Sequence, residues 1–345
     1  MSTGDLTLDF VRARCERQDV TVAWGILSTA RINDLVLAGA RGSDRVALLA
    51  VASREQARAE AYAREHGIER AYGSYEELLA DPDVRAVYIS LPNALHVEWS
   101  IRALEAGKHV LCEKPLTRYP AEVEQAFDVA ERRGRLLMEA FMWRHNPQTL
   151  RMTELVRSGE IGELRLVRAA FSFTADDPRD IRLLTELDGG SLMDVGCYCV
   201  SAARLLAGEP ERVLGEQVTN EAGVDVRFIG TMRFRDGVVG HFDSGLDLPV
   251  REELEVVGER GSLVAHDPWH ALSPKLELRR ADGEVEEIPI EPVNSYRLEL
   301  EDMSDAILGR REPLLGRVDA LGQARTIEAL FRSAEEGRPV TLDAP

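Results

Sequence analysis

Residues 20–33 read Val20-Thr21-Val22-Ala23-Trp24-Gly25-Ile26-Leu27-Ser28-Thr29-Ala30-Arg31-Ile32-Asn33. Val20–Leu27 is a short, mostly apolar run of the kind a strand covered on both faces shows. Helical spacing begins at Asn33 and runs to Ala40. A strand that turns directly into a helix opens the βαβ unit of a dinucleotide-binding sheet. In that unit the turn approaches a pyrophosphate and the helix N-terminus offers its free amides to it. The usual turn is Gly-x-Gly-x-x-Gly. Here Ser28 and Ala30 stand at the two close-approach positions, so the turn alone also fits an ordinary strand–helix connection.

Working outward, the same alternation continues. Val46–Ala52 reads as strand and Arg54–His66 as helix stopped by Gly67. Ser74 with Glu77 three residues later is a capping-box pattern that opens a short helix. Ala86–Ser90 is a strand, Ala94–Ala106 a helix closed by Gly107, and His109–Cys112 a strand. Pro120–Arg133 is a helix closed by Gly134, and Leu136–Ala140 a strand. This pace predicts a parallel sheet with helices on both faces. After Pro147 the texture changes. Thr149–Arg157 reads as helix, Leu164–Phe173 as a longer strand, Thr174–Asp188 as irregular chain and Gly190–Leu206 as helix. From Val213 to Ile290 short alternating stretches are separated by turn signals, with Arg235-Asp236-Gly237-Val238 a strong hairpin cue. Tyr296–Leu308 and Val318–Glu336 are closing helices. The fold class is therefore α/β: a Rossmann doubly wound parallel sheet, then an α+β domain with an open-faced, mainly antiparallel sheet. The expected division is 1–143 for the dinucleotide-binding domain and 144–345 for the second domain.

The chain has 345 residues, with 42 Lys+Arg against 60 Asp+Glu and a formal net charge of −18. Nucleic acids and anionic membranes both need a basic face, so neither is an expected partner. Cys15, Cys112, Cys197 and Cys199 are too few and too scattered for a disulfide framework, and a reducing compartment fits them better. Met1–Gln18 has no apolar h-region and no twin arginine, and no segment approaches the ~18 uncharged apolar residues of a span. The expectation is a cytoplasmic protein. The histidines show no ligand spacing and Cys197 and Cys199 point to different sides of a helix, so no metal is expected.

Three stretches carry chemistry. The second strand ends Val51-Ala52-Ser53-Arg54, with no carboxylate until Glu55. NAD enzymes place an acid there for the ribose 2′-hydroxyl, whereas an Arg accommodates a 2′-phosphate. Ser53 and Arg54 thus point to NADP, with NAD the other option; alternatively Arg54 is a solvated first-turn residue. Glu113-Lys114-Pro115 ends the fourth strand, where strand ends face a ligand crevice, and Pro115 holds Lys114 extended. In Gly189-Gly190-Ser191-Leu192-Met193-Asp194-Val195-Gly196-Cys197-Tyr198, Asp194 and Tyr198 are four apart on one helix face. A lysine beside a tyrosine favours phenolate and lowers the phenol pKa, which suits general acid/base work on a carbinol. Otherwise Tyr198 simply packs at the helix start, and Asp194 favours the helix N-terminus.

These pieces together resemble the Gfo/Idh/MocA oxidoreductases from Val20 to Leu342. The matching stretches are Gly25–Asn33, Ser90-Leu91-Pro92-Asn93 with His96, Ala106–Pro115, Gly189–Tyr198, Tyr296–Asp305 and Ser333–Val340. The resemblance implies a cis peptide before Pro115. It matches Lys114 and Asp194 to the family's lysine and second-domain aspartate. Tyr198 looks like the tyrosine of the glucose–fructose oxidoreductase, dihydrodiol dehydrogenase and NADP-dependent xylose dehydrogenase branch, as does Met138–Arg144. The catalytic residues it implies are Lys114, Tyr198 and Asp194. Around the cofactor it implies Gly25, Leu27, Ser28, Thr29, Ala30, Arg31, Ile32, Ser53, Arg54, Leu91, Pro92, Asn93, His96, Glu113, Lys114, Trp143 and Arg144. Around the substrate it implies Lys114, Arg144, Arg182, Asp194 and Tyr198. The implied activity is NADP-dependent hydride transfer with a sugar, at C1 of an aldose such as D-xylose. A trans-dihydrodiol dehydrogenase, a keto-sugar reductase, a cofactor-retaining glycosidase and a non-catalytic NADP sensor are the alternatives. A homodimer or higher homo-oligomer, paired through the second-domain sheet, is the implied assembly. Ser28 and Ala30 replace family glycines, which bears on cofactor affinity.

Overall fold

The apolar run that opens the sequence becomes β1 (Val22–Leu27), buried along almost its whole length, and it turns into α1 (Asn33–Arg41). The structure, a computed structural model, describes residues 21–342. The N-terminal stretch read for export signals, with Cys15, lies outside the described residues. Then follow β2 (Val46–Ala52), α2 (Gln56–His66), β3 (Arg70–Tyr72), α3 (Tyr75–Ala80), β4 (Ala86–Ile89) and α4 (His96–Glu105). β5 (His109–Glu113), α5 (Pro120–Arg133) and β6 (Leu137–Ala140) complete the first half. The Ser74 hydroxyl accepts the Glu77 N–H at 3.2 Å and caps α3. β3 has no apolar signature. Its Arg70 and Tyr72 side chains are instead held by the Asp81 carboxylate, at 2.8 Å each.

The first sheet has the order β3-β2-β1-β4-β5-β6, and every pair is parallel. Helices cover both faces, so a central strand such as β4 has no exposed residue. The order reverses between β1 and β4, which opens a crevice at their C-terminal ends.

The second half holds α6 (Pro147–Arg157), β7 (Leu164–Thr174), α7 (Cys197–Ala207) and β8 (Arg212–Thr219). After them come β9 (Asp225–Arg233), β10 (Val239–Gly245), β11 (Asp247–Gly258), β12 (Gly261–His266), β13 (Lys275–Arg280) and β14 (Val285–Ile288). α8 (Ser295–Ile307), α9 (Arg317–Glu336) and β15 (Val340–Thr341) close the chain. The nine-stranded sheet runs β14-β13-β12-β11-β7-β10-β9-β8-β15, antiparallel except for the β7–β10 pair. Asp236 (φ 58°) and Gly237 (φ 80°), both left-handed, make the β9–β10 turn within a three-residue loop. α7 and α9 cover one face of this sheet. On the other face Leu214, Val218 and Ile229 stay exposed. α8 packs against α1, and α9 against both α5 and β8. Arg317 fastens α9 to α5 through Glu124, Asp128 and Glu131. Among the described residues no helix is long and apolar enough to cross a membrane.

One expected helix is divided. Gly190–Leu206 reads as continuous, but Leu192–Gly196 forms a wider π turn before α7. The Asp225 carboxylate causes this start. It accepts from the Ser191 hydroxyl and the Leu192 amide at 2.8 Å each. Gly190 has φ +122°, and a Cβ there would stand 2.0 Å from that carboxylate. No other residue fits.

Candidate active site

The crevice at the strand ends continues into a cleft of about 1010 Å³ between the two sheets. Thr29, Ala30, Arg31 and Ile32 line one end, and Leu91, Pro92, Asn93 and His96 the middle. Glu113, Lys114, Asp194 and Tyr198 stand deeper, with Phe171, Glu252, His270 and Tyr296 beyond them. His96 is fully buried and its two ring nitrogens lie 2.8 Å from the carbonyls of Leu91 and Pro115. It ties the loop after β4 to the loop after β5. Burial pushes its pKa down to about 4.

Lys114 is carried by the end of β5, and the peptide to Pro115 is cis. Its ammonium donates to the Asp194 carbonyl at 2.8 Å and reaches Asp194 Oδ1 at 3.4 Å. It also sits 4.9 Å from the centre of the Tyr198 ring. Arg182 donates from Nε to Asp194 Oδ2 at 2.7 Å. Residues far apart in the chain thus meet around one carboxylate. Burial would lower the Lys114 pKa, but Asp194, Cys197 and Glu113 together outweigh it and hold the ammonium above its ordinary value. Burial would raise Asp194, and Lys114 and Arg182 together hold it below the usual carboxylate range. The pair is a fixed ion pair.

Tyr198 departs from the expectation that the lysine lowers it. Burial raises the phenol well above its ordinary value, and Glu113, Cys197 and Asp194 push the same way. The physical reason is placement: the ammonium is spent on Asp194 and faces the ring, while the hydroxyl donates to Met142 Sδ at 4.0 Å. A thioether is a weak acceptor. The phenol therefore rests protonated against a partner that a substrate oxygen readily replaces. Phe171 meets the Tyr198 ring edge-on at 5.3 Å, and Trp269 lies 5.7 Å away.

Two family models match this chain. Residues 23–141 match the model of the oxidoreductase family with an NAD-binding Rossmann fold, and residues 149–264 match the Gfo/Idh/MocA C-terminal domain. The chain belongs to the Gfo/Idh/MocA oxidoreductase family. It is 43% identical over 325 residues to a D-xylose 1-dehydrogenase (NADP(+)) of Haloferax volcanii, covering 93% of this chain and 99% of that one. Among solved structures it resembles an aldose–aldose oxidoreductase from Caulobacter crescentus complexed with glycerol. That match has TM-score 0.87 and 30% identity, over 93% of this chain and 100% of the other. It also resembles a 3-ketoreductase from Actinomadura kijaniata in complex with NADP and TDP-benzene, with TM-score 0.85 and 31% identity over 91% and 98% of the chains.

The structure does not bring every expected residue to the cleft of this family member. Thr29, Ala30, Arg31, Ile32, Leu91, Pro92, Asn93, His96, Glu113, Lys114, Arg182, Asp194 and Tyr198 line it. Gly25 and Leu27 do not. Gly25 backs onto Leu78, where a Cβ would come within 2.7 Å, and Leu27 is fully buried in the core. Ser28 turns its hydroxyl inward to Ser90 Oγ at 2.8 Å. Its φ of 134° is a value favoured by glycine, and the side chain accepts the Ala30 amide at 3.1 Å. Ser53 is buried at the end of β2, and its N–H donates to the Tyr72 carbonyl; Arg54 is exposed outside the lining. Arg58, four residues on, lines the cleft instead. Trp143 is fully buried against Trp269, at 5.4 Å edge-on. Arg144 is turned into the interior, donating to Ser201 at 3.2 Å and to Asp319 at 3.3 Å. The chain after β6 turns Trp143 onto Trp269, and Arg144 onto α7 and α9, rather than over the crevice.

The lining also holds residues not named as site candidates, among them Phe171, Glu252, His270 and Tyr296, the last known only as the start of a matching stretch. They come from β7, β11, the loop after β12 and the start of α8. Possible ligand atoms of Glu252, Asp267 and His270 fall within 4.8 Å of one another, although no metal was expected from spacing. The Asp267 carboxylate is already engaged by the amides of Ala271 and Ser273, at 3.0 and 2.9 Å.

Proposed function

We propose that this oxidoreductase is NADP-dependent and moves a hydride between nicotinamide and a sugar, at C1 of an aldose such as D-xylose. One observation carries the reading. A single cleft joins a strand–helix turn suited to pyrophosphate to the Lys114–Asp194–Tyr198 cluster. The residues present fit a dinucleotide. Among the described residues the amides of Arg31 and Ile32 have no protein acceptor, and they precede α1 where an anion is favoured. Arg31 and Arg58 line the same end and suit a 2′-phosphate. When bound, the nicotinamide ring supplies the hydride acceptor or donor.

The chain's own residues then handle the proton. For a carbonyl substrate, Tyr198 gives its phenolic proton to the oxygen, and the raised pKa keeps that proton in place until it is needed. For a hydroxyl substrate, Tyr198 first passes its own proton to solvent water in the cleft and then takes the substrate's. Lys114, 4.9 Å from the ring, stabilises the intervening phenolate. Asp194 and Arg182 fix Lys114 in place, and the Lys114 ammonium and the Tyr198 hydroxyl together hold the substrate oxygen. The protonated phenol specifically favours a second reading in which reduction of a keto-sugar is the working direction.

We also assign the open sheet face to pairing with a second copy, because Leu214, Val218 and Ile229 lie exposed along it. The test of the activity is production of reduced cofactor with a panel of aldoses, ketoses and trans-diols. Aldose turnover with NADP⁺ preferred over NAD⁺ is the expected result. Turnover of diols alone would contradict it.

A further inference from the structure

We propose that Glu252 and His270 form the sugar-reading end of the cleft and select polyhydroxylated substrates over simple diols. This rests on the aldose reading above and narrows it to a recognition element. The two side chains come from β11 and from the loop after β12, and they meet with His270 Nδ1 3.0 Å from Glu252 Oε1. Both line the cleft that holds Lys114 and Tyr198. His270 is 33% exposed and Glu252 18%, so the pair is a lining feature and not a solvated surface contact.

The chemistry of the pair suits hydroxyl groups. The carboxylate places the imidazole proton on Nδ1, which leaves Nε2 as a second hydrogen-bonding atom. Among the described residues no protein group takes Nε2 of His270, and Glu252 Oε2 is buried with no partner. His270 Nε2 is therefore left for a ligand to engage, while Glu252 Oε2 is covered and unpartnered beside it. Beside them stands an aromatic wall. Phe171 and Trp269 stack at 5.9 Å with 13° between their planes, and His270 meets Phe171 edge-on at 5.9 Å. Trp269, fully buried, backs Phe171 from behind and lies 5.7 Å from Tyr198. A sugar has what this surface needs: a C–H face for the rings and hydroxyls for the dyad.

A simple diol has two hydroxyls, and the reacting one is held by Tyr198 and Lys114. It reaches the dyad with little or nothing to offer. A site with built-in polar groups rejects a ligand that leaves them unpaired. The dyad thus discriminates by what a wrong substrate leaves unmade. The loop that carries His270 is stiffened for this role: Asp267 takes the backbone amides of Ala271 and Ser273.

The experiment is steady-state kinetics of the full chain with Glu252→Gln and His270→Phe. The substrates are a pentose, its mono-deoxy analogues and trans-cyclohexane-1,2-diol. NADP⁺ affinity, read by fluorescence titration, controls for folding. We expect the kcat/KM ratio of pentose to diol to fall roughly 10- to 100-fold in each variant. The loss appears in KM. In wild type, one deoxy pentose shows a similar deficit, and Glu252→Gln adds little to it. An equal loss for pentose and diol, or no loss for either, overturns the dyad's role while leaving aldose oxidation intact. Failure of the wild type to oxidise any aldose ends the aldose reading and the dyad proposal together.

Discussion

On one wall of the cleft Thr29, Ala30, Arg31 and Ile32 follow one another in the chain; on the other, Phe171, Glu252, His270 and Tyr296 arrive from four separate elements. The first wall is a single turn between a strand and a helix, so its geometry is set by local backbone. On the second, Phe171 and Glu252 are set by the register of a nine-stranded sheet, where a shift moves side chains to the other face, and His270 and Tyr296 by a loop and a helix start. Lys114, Asp194 and Tyr198 stand at the seam. The contrast separates a wall set by local backbone from one set by tertiary contacts.

The sharpest way to break the comparison is at the seam. Tyr198→Phe removes the proton donor and keeps the ring over which Lys114 sits. We expect kcat to fall by about 10²- to 10⁴-fold with NADP⁺ affinity unchanged by titration. Activity near wild type would place the proton transfer elsewhere. On the cofactor wall, Arg58→Ala is expected to weaken NADP⁺ binding by roughly tenfold, the worth of a charge-assisted contact to phosphate, and to leave NAD⁺ binding alone. An equal effect on both cofactors would take the 2′-phosphate away from Arg58.

Smaller effects test how each wall is held. Ser28 adopts φ 134° and pays for it with bonds to Ser90 and the Ala30 amide. Ser28→Ala keeps the strain and drops the bonds, whereas Ser28→Gly relieves the strain. Thermal or urea unfolding should rank Gly above Ala here by about 1–3 kcal/mol. The opposite ranking would mean that the turn is unstrained. Acidification tests His96 and His109, both pushed by burial from 6.5 to about 4. A folded pKa below the unfolded one means the native state resists protonation. Their contribution is complete above pH 6.5 and is lost as pH falls towards 4. The melting temperature should therefore drop across that window, and replacing His96 by a non-titrating residue should flatten part of the slope. Finally, a chelator is expected to leave activity unchanged. Loss of activity restored by a divalent cation would reassign Glu252, Asp267 and His270 as ligands.

The sequence was legible where structure is local. The alternation of strands and helices gave the parallel sheet, and Asp236-Gly237 gave the hairpin because only left-handed residues fit that turn. Lys114, Asp194 and Tyr198 could be paired because strand ends and helix faces have fixed directions. Legibility failed where tertiary contacts decide. β3 exists because Asp81 gathers Arg70 and Tyr72, and the π turn exists because Asp225 reaches back to Ser191. Trp143 and Arg144 carried a suggestive motif, yet the chain folds them inward onto Trp269 and Asp319. The phenol's raised pKa was hidden as well, since spacing shows that a lysine is near but not that Asp194 has claimed it.

The most direct measurement follows a labelled hydrogen. The protein is incubated with NADP⁺ and a pentose carrying deuterium at C1, and the reduced cofactor is recovered for mass spectrometry. The account predicts deuterium in the reduced cofactor. Turnover that leaves the label in the sugar product would show that C1 is not the reacting carbon and would contradict it.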